Sequence, residues 1–264
     1  MTLPPFQELI YSVSDSVCTL TLNRPQRRNA LTPTLVNELI VGLETAASDP
    51  RVGAIVLTGS GGAFCAGADL AAFQGTKASS SDMPQRGGFV ELNLAFQRVG
   101  KPVIARVERY ALAGGLGLMC ACQFAIAEDT ATFGTPEIDR GIFPMMIMAN
   151  IFRLIPRRKG LELVLLGERV SADQAETMGL INRAVPPAEL DEAVRDLAQS
   201  LARKAPNAMR IGLNAFYTQS DQDFETGLRY LETELQQCLQ SPDALEGITA
   251  FLEKRPPKWP SRES

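Results

Sequence analysis

Two short stretches of small residues are the best candidates for chemistry. One is Ala63-Phe64-Cys65-Ala66-Gly67-Ala68-Asp69-Leu70; the other is Ala111-Leu112-Ala113-Gly114-Gly115-Leu116-Gly117. Each follows an apolar run that reads as a buried strand, residues 52–57 before the first and 103–107 before the second. Such turns let backbone approach a ligand closely, because little side chain stands in the way. Two N–H groups, one from each turn, can then converge on a single oxygen, the design of an oxyanion hole. One carboxylate, Glu137, follows in Thr132-Phe133-Gly134-Thr135-Pro136-Glu137. On the residues alone Glu137 has two readings, a proton carrier or a helix-start carboxylate behind Thr135 and Pro136.

Composition excludes much else. The 264 residues contain no His, which removes the usual zinc constellations, Ser-His-Asp triads and every His general base. No metal site is expected. Acid–base work near neutral pH falls to Asp, Glu, Tyr, Lys or Cys. The 5 Cys are an odd, scattered set in a chain too large to need staples, so reduced thiols in a cytoplasm-like compartment are expected. Cys65 lies inside the first turn without an adjacent base to activate it. The net charge of −4 comes without a basic stripe, so no nucleic-acid partner is expected. Arg153, Arg157, Arg158 and Lys159 form one short basic cluster, fit either for a phosphate or for solvent. Residues 1–10 lack the pattern of a signal peptide, and no run of roughly 18 uncharged apolar residues predicts a membrane span.

The elements that must position the turns are legible in outline. Residues 17–23 alternate as a half-buried strand. Thr32 caps a helix with Pro33 at its first position, and Leu35, Val36, Leu39, Ile40 and Leu43 form its apolar stripe. Residues 75–88, rich in Gly and Ser, read as a loop long enough to be functional or disordered. Residues 89–99 read as a helix, 115–122 as a buried helix, 124–127 as a strand, 132–137 as a turn and 145–155 as a core helix. Phe143, Met145, Met146 and Met148 suit either that core or the lining of an apolar pocket. Ser171 and Gln174 form a capping box whose helix Gly179 closes, and 180–185 read as a strand. From residue 190 on, four amphipathic helices follow without a strand between them. Residues 1–190 therefore predict an α/β core and 191–264 a helical region.

The two glycine turns together resemble the paired signature of the enoyl-CoA hydratase/isomerase (crotonase) superfamily. Further segments resemble the family in the same order: Asn23-Arg24-Pro25 through Asn29-Ala30-Leu31, Phe133-Gly134-Thr135-Pro136-Glu137, residues 171–182 and residues 246–255. The resemblance implies a core of repeated ββα turns and a C-terminal helical region that builds a homotrimer or a dimer of trimers. It implies acyl-CoA thioester substrates and no cofactor beyond the CoA they carry. It assigns the oxyanion N–H groups to Ala68 and Gly114. Losing one such donor costs roughly 3–4 kcal/mol in other enzymes. CoA contacts fall to Gln26 and Arg27, to the segment Ala66, Asp69 and Leu70, and to Phe251 and Lys254, often from a neighbouring subunit. Arg27 and Lys254 read equally well as solvated surface.

The sequence departs from the family's hydratases at the position of their other glutamate. They carry a second glutamate three residues after the oxyanion glycine, where this chain has Gly117. One carboxylate suits the shuttling of a single proton. The expectation is therefore that Glu137 moves a double bond from the 3 to the 2 position of an enoyl-CoA. Hydration of a 2-enoyl-CoA by Glu137, alone or with a second acid such as Glu108 or Asp139, is the alternative. A catalytically weak acyl-CoA-binding protein is a third. Glu108-Arg109 also replaces the family's usual Asn-Gly.

Overall fold

The computed structural model describes residues 5–74 and 83–262. Residues 75–82 of the expected loop lie outside the described residues. In chain order the elements are β1 (Leu9–Ser14), β2 (Val17–Leu22), α1 (Pro33–Ser48), β3 (Ala54–Gly59), α2 (Leu70–Gln74), α3 (Phe89–Arg98), β4 (Val103–Val107), β5 (Tyr110–Leu112) and α4 (Gly114–Ala121). Then come β6 (Phe124–Glu128), β7 (Thr132–Gly134), α5 (Met145–Leu154), α6 (Arg157–Leu166), β8 (Val170–Ser171), α7 (Ala172–Thr177) and β9 (Arg183–Val185). The chain closes with α8 (Leu190–Ala202), α9 (Pro206–Gln219), α10 (Phe224–Leu239) and α11 (Pro242–Leu252).

Six strands form one sheet in the order β1-β2-β3-β4-β6-β9. Only the β1–β2 pair is antiparallel. A small second sheet, β5-β7-β8, stands beside it. β3 is buried along its whole length because both faces of the sheet are covered, which explains its unbroken apolar run. Ile55 and Leu57 pack in one core with Leu35, Leu39 and Leu43 of α1. Val56 faces the other way, into a second core with Ile104, Ile126 and the α8 residues Leu190, Val194 and Ala198. Each such Leu, once buried, contributes roughly 1.5–3 kcal/mol. The Thr32 cap is formed, its Oγ1 accepting from Leu35 N at 3.0 Å.

Several elements differ from the sequence expectation. The first buried strand starts two residues later, at Ala54. The expected turn at 132–137 is split into β7 and a short 3-10 helix, Pro136–Arg140. The expected strand at 180–185 shrinks to β9, because the N–H groups of Leu180 and Ile181 turn back to Ala175 O at 2.8 and 3.3 Å and close α7. In α5 only Ile147 and Ile151 are buried, while Met145 is 61% exposed. α6 was not anticipated. It opens on Arg157, Arg158 and Lys159, and cations at a helix start oppose the macrodipole.

Candidate active site

The first glycine turn follows β3, the second runs from β5 into α4, and the two are laced to each other. Phe64 N donates to Glu108 O (3.0 Å), Cys65 N to Tyr110 O (3.3 Å) and Leu112 N to Cys65 O (3.0 Å). The first turn is also tied to the start of α1's approach. Leu31 N donates to Gly67 O and Asp69 N to Leu31 O, both at 2.8 Å. That pairing spends the amides on either side of Ala68 and leaves the Ala68 N–H without a backbone acceptor among the bonds of the described residues. Gly114 is the first residue of α4, so its N–H has no acceptor within the helix.

Close approach is what the small residues provide. A β-carbon on Gly115 would lie 2.5 Å from Cys65 O, and one on Gly114 would lie 3.5 Å from Ala68 N. Ala113 holds φ 48° and ψ −126°, a conformation an alanine rarely adopts. It is secured by Ala113 N donating to Gly134 O at 2.9 Å. Arg109, in place of the family's glycine, likewise takes a left-handed φ of 58°. The departure at Glu108-Arg109 is thus accommodated, with both turns still paired.

Ala68, Gly114, Gly117 and Glu137 line one cavity of about 310 Å³. Its other walls are largely apolar, with Phe89, Phe96, Phe143, Met145 and Met146 among them. Larger openings exist, such as a groove of about 470 Å³ beside α6 and α7, but the paired glycine turns do not line it. Glu137 rides on the 3-10 helix Pro136–Arg140. That segment is anchored by the buried Thr135, whose Oγ1 donates to Leu163 O at 2.8 Å. Glu137 Oε2 is buried with no hydrogen-bond partner among the described residues. Burial pushes its carboxyl above the ordinary glutamate range, opposed only in part by its own amide and by Arg140. A carboxylate in that state is suited to take a proton and give it back.

At Gly117 there is no room for a side chain. A β-carbon there would come within 2.2 Å of Ile147 Cγ2 and 3.0 Å of Ile147 Cβ. The two carboxylates weighed as a second acid are turned elsewhere. Glu108 pairs with Arg106 at 2.8 Å, and Asp139 is exposed; neither lines the cavity. The Cys65 thiol is buried, donates to Asn29 O at 3.1 Å and is pushed up to about 12 by burial. It is no nucleophile at neutral pH.

The expected CoA contacts divide. Gln26 and Arg27 lie exposed on a 3-10 helix, Pro25–Arg27, next to the first turn, where Ala66 N donates to Arg28 O at 3.1 Å. Leu70 is exposed at the same rim. The Asp69 side chain is engaged by Arg24 Nη2 at 3.2 Å and accepts from Ala72 N at 3.3 Å at the start of α2. Phe251 and Lys254 line no part of this chain's cavity, and Phe251 stands 81% exposed on α11. Sequence reasoning missed Arg24 as the bridge between Glu8 and Asp69. It also missed Asn93, which lines the cavity and carried no signal beyond being a polar residue within an apolar helical stripe.

The same architecture recurs in known proteins. The family model for enoyl-CoA hydratase/isomerase matches residues 12–262. A 2,3-dehydroadipyl-CoA hydratase of Escherichia coli is 35% identical over 263 residues, covering 97% of this chain and 99% of the relative. A probable enoyl-CoA hydratase of Rhizobium meliloti is 35% identical over 258 residues, with 97% and 99% covered. The crystal structure of an enoyl-CoA hydratase from Mycobacterium smegmatis superposes with a TM-score of 0.87 at 36% identity, covering 96% of this chain and 99% of that one. Fold, ordered motifs and relatives agree that the chain belongs to the enoyl-CoA hydratase/isomerase family of the crotonase superfamily, a family of enzymes.

Proposed function

We propose that the protein acts on enoyl-CoA thioesters and moves a double bond from the 3 to the 2 position, with Glu137 as the only proton carrier. One observation carries the choice. Among the described residues Glu137 is the one carboxylate that lines the cavity, and Ile147 fills the space that a side chain at Gly117 would need. The thioester oxygen lies between the N–H groups of Ala68 and Gly114. The Glu137 carboxylate takes a proton from C2 of a 3-enoyl-CoA, and the electron pair moves onto the thioester oxygen as a dienolate. The two N–H donors and the amino end of α4 stabilise that charge as it develops. Glu137 then returns the proton to C4, and the conjugated 2-enoyl-CoA leaves with no change in mass.

Hydration of a 2-enoyl-CoA is the second reading, favoured by the names of the relatives. A catalytically weak acyl-CoA-binding protein is the third. The CoA moiety is held along Gln26, Arg27, Ala66, Asp69 and Leu70, with Phe251 and Lys254 reaching it from a neighbouring copy. No cofactor beyond that CoA is required. The exposed apolar residues Leu228, Leu235, Leu239, Leu245, Ile248 and Phe251 on α10 and α11 support a homotrimer or a dimer of trimers, to be read by light scattering. Among the described residues no helix is long and apolar enough to cross a membrane. Buried free thiols are consistent with a reducing cytoplasm.

The deciding experiment offers the protein a 3-enoyl-CoA and, separately, a 2-enoyl-CoA, with products followed by mass spectrometry and ultraviolet absorbance. A conjugated product of unchanged mass, lost in Glu137→Gln, is expected. Gain of one water by the 2-enoyl-CoA at the faster rate would replace this reading with the hydratase one. Binding without turnover of either would leave the third.

A further inference from the structure

We propose that Asn93 makes this cavity selective for acyl chains that carry an oxygen acceptor, a hydroxyl or a carboxylate, over plain hydrocarbon chains. The proposal rests on the acyl-CoA reading above and names the substrate class within it.

Asn93 sits in the middle of the α3 stripe that faces the cavity, between Phe89, Leu92 and Phe96. A stripe packed only against hydrocarbon would carry another apolar residue there. Among the described residues lining the cavity, Asn93 and Glu137 are the only polar side chains. The amide is held from two sides. Its Nδ2 donates to Phe89 O at 2.8 Å, and its Oδ1 accepts from Asn150 Nδ2 at 2.7 Å. Asn150 Nδ2 also reaches towards Gly117 O at 3.5 Å, so the brace spans α3, α5 and α4. These bonds decide which way the amide faces.

An Asn side chain has two N–H donors. One is taken by Phe89 O, and the other meets no acceptor among the described residues. Because Asn93 lines the cavity, a methyl-ended chain that covers this N–H strips water from it and returns nothing. A chain bearing a hydroxyl or carboxylate oxygen gives it a partner. Sites built to hydrogen-bond a substrate group discriminate strongly against analogues that lack it, because the protein's own polar group is left unpaired.

The test measures binding, by calorimetry, of saturated acyl-CoAs of four to eight carbons, each ending in methyl, hydroxymethyl or carboxylate. Saturated chains are not turned over, so affinity is read without chemistry. At one length or more, an oxygen-bearing ligand is expected to bind at least ~10-fold tighter than its methyl-ended match. The hydroxyl and carboxylate arms tell which oxygen is preferred. Asn93→Leu is expected to abolish the preference and to tighten the methyl-ended ligand. Should that variant fail to fold, the near-isosteric Asn93→Asp replaces donor by acceptor and is expected to reject the carboxylate selectively. Equal binding of all three ends at every length overturns the proposal, as does a preference that survives in Asn93→Leu. Failure of every acyl-CoA to bind would overturn the functional reading itself, a different result from unselective binding.

Discussion

Ile147 occupies the space that a side chain on Gly117 would need: a β-carbon on Gly117 would stand 2.2 Å from Ile147 Cγ2. The close atoms belong to a β-branched side chain near its backbone, so they cannot swing aside. Gly117→Glu is therefore expected to overpack the site and to cost about 1–3 kcal/mol, read as a lowered urea midpoint. Adding Ile147→Gly should recover part of that stability. If the missing second carboxylate is what limits hydration, the double variant also adds water to a 2-enoyl-CoA faster than the parent chain does.

Glu137 combines a buried Oε2 that has no hydrogen-bond partner among the described residues with a carboxyl raised by burial above its ordinary 4.5. Its charged form is the base, so kcat/KM should climb with pH through a limb lying above that value. The stability effect has the opposite sign. A carboxyl raised on folding favours the folded state at low pH, and that contribution is lost as pH rises through the folded pKa. Glu137→Gln is thus expected to melt no lower than the parent at pH 7 while turnover falls by roughly 10²–10⁴-fold. A variant that lost activity and stability together would mark Glu137 as structural.

Arg24 joins two distant pieces of chain and a nearby carbonyl. It meets Glu8 Oε1 at 2.9 Å, Asp69 Oδ2 at 3.2 Å and Ala30 O at 2.5 Å. Its side chain is 13% exposed and the carboxylates about as sheltered, between the surface and fully buried cases. Arg24→Met should cost about 2 kcal/mol, more than a surface pair and less than a buried one. Arg24→Lys should recover little, because one ammonium cannot replace the planar fork. Since Asp69 follows Ala68 directly, kcat should fall more than KM changes in both variants.

Four of the five thiols, Cys18, Cys65, Cys120 and Cys122, are buried, and Cys238 is partly exposed. Burial pushes Cys18, Cys65 and Cys120 up to about 12. Iodoacetamide at pH 8 should therefore modify at most Cys238 in the native protein and all five after denaturation, counted by intact mass. Modification of Cys65 in the native chain would show that the first turn opens far more than its hydrogen bonds allow.

Local chemistry left a plain record in the sequence. The Thr32-Pro33 helix start, the capping box at Ser171 and the long amphipathic helices α8 to α11 each depend on residues a few positions apart, and short spacing is what a sequence displays. The apolar run 54–57 within β3 announced a strand covered on both faces. The glycine turns and Glu137 were legible as types and order. Their convergence was not, because it depends on pairings across dozens of residues: Cys65 with Ala111, Leu31 with Ala68, and Ala113 with Gly134. Only the tertiary structure decided that Glu108 turns to Arg106, that Asp139 faces solvent, that Met145 and Met146 line a cavity instead of a core, and that Ile147 closes the space at Gly117. The physical reason is common to all four. A side chain's environment is set by what distant segments bring against it, and such packing has no signature in the order of neighbouring residues.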